Sequence, residues 1–240
     1  MYRTKMLRNL LLCCLIGLPV WVSAQSAGYK FVRFDTRTGL SHNQVNCFLK
    51  DRRGFLWIGT QGGFNRFEGY SFRIFRNDPN DPASIANNYV FSLMEDPSGH
   101  IWVSDRHKYT VFDPLTEQFN RDADGCAQKF GLPDARLIRF LKSRTGDFWV
   151  NQLSAGLCKY DVRGGKLSPF LPAPRDTSIA GAEQIADFRE DSKGRLWIIR
   201  RNGTLELFDP ASRQVNSGSS AATVAPPSKI ASYSARKRCP

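Results

Sequence analysis

The chain has 240 residues, of which 41% are hydrophobic and 12% aromatic, enough apolar material for a sizeable core and too much for a wholly disordered chain. The formal charge is +12, but the first 24 residues hold three of those positives and the last 25 hold four, with no acid in either stretch, leaving +5 for residues 25–215. That division excludes the basic stripe that nucleic acid binding requires.

The chain opens with Arg3, Lys5 and Arg8, an apolar run from Leu10 to Val22, and the small residues Ser23 and Ala24. Residues 1–24 therefore read as a cleavable secretory signal peptide. The run is too short, and too broken by Gly17 and Pro19, for a membrane-spanning helix; an uncleaved anchor is the alternative. No second apolar run of spanning length follows, so no membrane span is expected, and the localisation expected from export is periplasmic.

The next signal is a repeat. Trp57, Trp102, Trp149 and Trp197 are spaced by 45, 47 and 48 residues. Twelve positions before each stands an apolar residue (Val45, Val90, Leu137, Ile185), and three before each a glycine (Gly54, Gly99, Gly146, Gly194). An aromatic follows ten or eleven positions later: Phe67, Phe112, Tyr160 and Phe208. In the first unit Val45–Leu49, Phe55–Thr60, Phe64–Phe67 and Tyr70–Phe75 are β-rich runs separated by the turns Asp51–Gly54, Gln61–Gly63 and Glu68–Gly69, as antiparallel hairpins require. The glycine closing each D-x-x-G turn is expected to take positive φ. A four-stranded meander of about 45 residues is one blade of a β-propeller.

The predicted fold is all-β: a partial β-propeller of about four four-stranded antiparallel blades, preceded by the signal peptide and followed by a disordered tail. Blade 1 covers residues 40–83, blade 2 84–131, blade 3 132–179 and blade 4 180–215, with 25–39 leading in. Residues 216–240 form a basic tail rich in Ser, Ala and Pro, with too little apolar area to fold alone. The tryptophans are expected to fill the gaps between blades, since one small sheet cannot bury both its faces alone. Recurrence at every unit favours that role over sugar stacking. Cys47 and Cys158 fall in predicted strands as small buried hydrophobes. Cys126 is placed in a loop, where it could pair in an oxidising compartment, though no spacing names a partner.

The first unit, GLSHNQVNCFLKDRRGFLWIGTQGGFNRFEGYSFRIF (Gly39 to Phe75), and the linker NDPNDPASIANNYV (Asn77 to Val90) resemble the two-component regulator propeller repeat, found in the sensor half of hybrid two-component system proteins of Bacteroidetes. The resemblance implies that Tyr29–Gly39 is an opening strand. It also implies a periplasmic, non-enzymatic sensor segment whose ligand is an oligosaccharide or other small molecule, with no cofactor and with dimerisation an option in full-length relatives. Kinase, receiver and DNA-binding parts of such receptors have no counterpart here, so the chain is expected to be a truncated or frame-shifted sensor segment that does not signal alone. Blades 3 and 4 depart from the pattern: Ser143 replaces the turn aspartate, Asn151 stands where blade 1 has Gly59, and Ile199 and Arg200 replace Gly-Thr.

Ligand contacts are expected on the loops between second and third strands and between blades, which emerge together at one end of each blade. The candidate residues are Gln61, Asp105, Arg106, His107, Asn151, Gln152, Arg200 and Arg201, whose polar and basic groups suit sugar hydroxyls, uronate or sulfate. No residue pattern points to a metal site, and no nucleophile elbow or phosphate loop occurs. Streptogramin-lyase-like propellers carry similar D-x-x-G-x-x-W blades, so a propeller lyase or hydrolase is the alternative. It would need a catalytic histidine, and His107 with its charged neighbours is the cluster to consider. A protein-interaction scaffold is the third reading.

Overall fold

In a computed structural model, residues 31–136, 138–173 and 183–217 are described; the predicted signal peptide, most of the basic tail and Leu137 lie outside them. The described residues form four sheets of four antiparallel strands each, strands following chain order within every sheet. Blade 1 contains β1 (Val45–Lys50), β2 (Leu56–Thr60), β3 (Gly63–Phe67) and β4 (Phe72–Phe75). Blade 2 contains β5 (Ser92–Glu95), β6 (Ile101–Ser104), β7 (Tyr109–Asp113) and β8 (Gln118–Asn120). Blade 3 contains β9 (Arg139–Lys142), β10 (Phe148–Gln152), β11 (Gly156–Asp161) and β12 (Lys166–Leu171). Blade 4 contains β13 (Ile185–Glu190), β14 (Leu196–Arg200), β15 (Leu205–Asp209) and β16 (Gln214–Ser217). This is the all-β, four-bladed propeller architecture that the indole spacing predicts.

Two local expectations change. The described part of the predicted opening strand forms no strand; Thr36–Thr38 is a 3-10 turn instead, capped by the Asp35 side chain, which accepts from the Arg37 N–H, and closed by Gly39 at φ 99°. An N-cap aspartate and a left-handed glycine four positions apart hold a tight turn better than an extended run. Cys126 lies not in a loop but in a short helix, α1 (Ala123–Gln128), with Asp122 as its cap. Its thiol is buried and unpaired, as is that of Cys158 in β11. Burial pushes the Cys47 thiol up to about 12, against the opposing pull of a backbone hydrogen bond from Gly59.

The first-to-second-strand turn is built the same way in blades 1 and 2. Asp51 accepts from the backbone N–H groups of Arg53 and Phe55, both at 2.9 Å, and from the Trp57 indole Nε1 at 2.8 Å. Asp96 repeats all three contacts, with Ser98 N–H at 2.8 Å, His100 N–H at 3.0 Å and Trp102 Nε1 at 2.9 Å. One carboxylate therefore closes the turn and clamps the tryptophan of the following strand. The turn glycines Gly54, Gly99, Gly146 and Gly194 all have φ between 78° and 94°, where a residue with a Cβ is strained.

Blade 3 breaks the clamp. Ser143 stands in the aspartate's place, its hydroxyl donating to Glu190 at 3.0 Å, and the buried Trp149 Nε1 has no partner. An unpaired buried donor costs about 1–3 kcal/mol. Ser143→Asn is therefore expected to stabilise the chain by about 1 kcal/mol: its carbonyl can accept from the indole while its amide donates to Glu190. A urea midpoint unchanged or lowered by the substitution would count against this account.

Each described core spans two consecutive blades. Trp57, Phe64, Val90, Ile101, Val103 and Phe112 share one cluster across blades 1 and 2. Trp102 packs with Phe130, Ile138, Phe140, Phe148 and Val150 across blades 2 and 3. Trp149 packs with Phe188, Leu196, Ile198 and Phe208 across blades 3 and 4. Cross-strand register explains the sidedness. Trp57 faces forward while its neighbours Leu56 and Ile58 face back, so each blade presents an indole to the next blade and aliphatic residues to the last. Ion pairs reinforce the rims: Arg52 with Glu95 at 2.7 Å, Arg66 with Glu117 at 2.8 Å and Arg139 with Asp187 at 2.9 Å. The fourth indole departs from this scheme: Trp197 is only half-buried.

Candidate functional site

The loops between second and third strands and the linkers that enter each blade meet at the same end of the sheets, as hydrogen bonds between them show. Gln61 N–H donates to Gln44 O at 3.2 Å in blade 1, and Leu153 N–H to Arg136 O at 3.3 Å in blade 3. Arg201 N–H donates to Gln184 O at 2.9 Å in blade 4.

Blade 2 carries the most developed cluster at this end. The Asp105 carboxylate accepts from the His107 and Lys108 backbone N–H groups at 3.0 and 2.9 Å, and from Asn87 Nδ2 at 3.4 Å. Burial pushes the Asp105 carboxyl up, but these hydrogen bonds outweigh it and hold the group below the usual carboxylate range. The turn forces Arg106 to φ 88°, a left-handed conformation uncommon for a residue with a Cβ and a marker of local strain. Its N–H is held by Ser104 Oγ at 3.1 Å. The guanidinium lies 4.7 Å from the ring centre of Phe91 and 5.5 Å from that of Tyr89, cation–π distances that fix its direction. Phe91 is 43% exposed. The result is a surface platform of two aromatic rings, one cation, one carboxylate and one amide.

The other candidates are placed differently. Gln61, His107 and Arg201 are exposed at the loop end. Gln152 is 1% exposed and fully engaged: its carbonyl accepts from Ser154 and Ala155 N–H groups at 2.8 and 2.7 Å, and its amide donates to Asp134 at 2.6 Å. Asn151 is buried within β10. Arg200 is tied to Glu206 at 2.8 Å and to the Glu183 carbonyl at 2.6 Å. Of the eight, Asp105, Arg106 and His107 lie together in one loop, and the rest are spread over blades 1, 3 and 4.

Sequence reasoning missed Tyr89, Phe91 and the Arg136–Asp134 pair at 2.8 Å. A signal for the first two was present. In Tyr89-Val90-Phe91, just ahead of β5, an apolar residue is flanked by two aromatics; Val90 is fully buried, Tyr89 half-buried and Phe91 exposed. A cleft of about 320 Å³ lies beside α1 and is lined by His100, Asp113, Gln118, Asn120, Lys129 and Phe130 among others. There the Asp96 carboxylate accepts from His100 and raises its pKa, aided by Asp113 and opposed by burial and Lys129. Among the described residues no group of three or more His, Cys, Asp or Glu side chains is placed to hold a metal ion, and no helix is long and apolar enough to cross a membrane.

The family described as "Two component regulator propeller" matches residues 39–62 and 84–107. The chain carries two-component regulator propeller repeats. The two matched stretches correspond to the start of blades 1 and 2 through their second strands, and the second includes Asn87, Tyr89, Phe91 and Asp105–His107. Over 69 residues the chain is 39% identical to histidine kinase P4 of Formosa agariphila, a stretch covering 29% of this chain and 5% of the relative. A similar solved structure is the extracellular domain of BT4673 from B. thetaiotaomicron, assigned as a one component system, at TM-score 0.51 and 20% identity, covering 80% of this chain and 26% of that one. This likeness concerns the fold alone. Catalytically inactive virginiamycin B lyase from Staphylococcus aureus with Quinupristin aligns at TM-score 0.49 and 12% identity, over 82% of this chain and 62% of the lyase, too weak a likeness to carry an argument. This propeller-repeat chain thus spans about a quarter of the BT4673 extracellular domain, and its matched stretch is a small part of the kinase.

Proposed function

We propose that the four blades form part of the ligand-receiving propeller of an extracellular or periplasmic sensor of the hybrid two-component kind, and that this segment binds an oligosaccharide without turning it over. The observation that carries the reading is the blade 2 platform, which lies inside a matched propeller repeat. The exposed Phe91 ring, beside the half-buried Tyr89, suits the apolar face of a pyranose, and Arg106 suits a carboxylate or sulfate on it. A held carboxylate and an amide beside them suit hydroxyls. Rigid blades with exposed loops are where such recognition is expected.

The test is calorimetric titration with a panel of neutral, uronate-containing and sulfated oligosaccharides, followed by product analysis. Binding without products is expected, and Arg106→Ala should weaken affinity by about tenfold, roughly 1.4 kcal/mol. Cleavage of a bound sugar would instead favour the propeller-lyase reading, which the D-x-x-G-x-x-W blades also accommodate.

A further inference from the structure

One interface is built three times within this chain, and each of its two halves is present once more, on the fourth and first blades. One half is the tryptophan of the second strand. The other is the hydrophobic residue nine positions before the next tryptophan, on the first strand of the following blade. Trp57 shares a core with Leu93, Trp102 lies 5.5 Å from the Phe140 ring, and Trp149 shares a core with Phe188. The fourth pair by position is Trp197 and Phe48. Trp197 is half-buried, and the same face of blade 4 carries Ile199 and Leu205, cross-strand partners that are 42% and 38% exposed. Phe48 sits opposite Ile58 on the backward face of blade 1 and is 63% exposed.

The charges at the rims follow the same register. Where the turn carries an arginine, the next blade answers with a glutamate: Arg52 forms an ion pair with Glu95, while Glu190 accepts from the Arg144 backbone N–H at 2.8 Å and the Arg144 guanidinium donates to the Ser192 carbonyl. Where the turn position is neutral, as at Pro97, the corresponding residue of the next blade is a lysine, Lys142. Blade 4 has the neutral Ser192 at that turn, and blade 1 has Lys50 at the answering position. At that register a neutral residue would meet a lysine, as Pro97 and Lys142 do by position.

We propose that the Trp197 face of blade 4 docks against the Phe48 face of blade 1 in a second copy of this chain, head to tail, continuing the interface already made between its own blades. Such a contact is heterologous, so it extends or closes into a ring rather than pairing two equal faces. The proposal is independent of any ligand.

The test is sedimentation velocity on the full chain across a concentration series, with Ile199→Arg and Phe48→Arg as variants. Both positions are already exposed, so both variants keep their fold, as circular dichroism will show. The wild-type mass is expected to rise above one copy with concentration, while each variant alone stays a single copy. An equimolar mixture of the two should yield a species of two copies, because each supplies the half that the other lacks. A wild-type chain that stays single throughout, variants that associate like the wild type, or a mixture that does not pair would each overturn the proposal.

Discussion

Replacing Trp57 with alanine is expected to lower the unfolding free energy by about 3–5 kcal/mol. The indole is fully buried, stacked 4.8 Å from Phe64 at 9° and edge-on to Phe112 at 5.2 Å. Its loss opens a cavity between two blades and strips Asp51 of an indole donor. The same change at Trp197 removes a side chain that is only partly buried, and about 1–2 kcal/mol is expected there. Urea unfolding of both variants beside the wild type is the measurement. Equal losses would show that the indole repeat does not mark packing between blades.

Asp51→Ala should cost about 2–4 kcal/mol, because a hydrogen-bonded turn is lost while a buried indole N–H is left unpaired. The aspartate accepts three hydrogen bonds of 2.8–2.9 Å and is itself 6% exposed. Asp191→Ala is the contrast. That carboxylate accepts from the Lys193 and Arg195 N–H groups and from the Arg195 guanidinium at 2.9 Å, and the guanidinium is partly exposed; surface pairs of this kind contribute about 0–1 kcal/mol. The larger drop in urea midpoint should therefore fall on Asp51→Ala, accompanied by faster solvent exchange of the Trp57 Nε1–H. If the two substitutions cost the same, the aspartate acts as a turn former alone and the clamp adds nothing.

Much of this architecture was legible because a propeller blade is a local object. Turn residues, alternation and a bulky residue at fixed intervals are all written within 45 consecutive positions, and the blade 1 strands begin and end within a residue or two of where those signals place them. The short helix α1 was missed because its six residues, ADGCAQ, carry too little periodicity to register. The opening segment was misread because the resemblance outweighed the Asp35 cap, which is visible in the sequence. The candidate loop residues were harder. Gln152 and Arg106 are both polar residues next to second-strand ends, yet one is sealed inside a hydrogen-bonded turn and the other stands on two aromatic rings. Nothing in the spacing separates those fates.

Local chemistry determined the repeat, the strand pairing within each blade, the positive-φ turn glycines and the aspartate clamp, since every partner in these contacts lies within the same blade. Only the tertiary structure decided which indoles are sealed, that Trp149 lacks a hydrogen-bond partner, and that Arg106, Phe91 and Tyr89 converge. Those outcomes depend on what the neighbouring blade or linker places opposite a side chain. A linear pattern states which groups a residue could meet, while burial and partnership are settled by surfaces brought together from 18 to 47 residues apart.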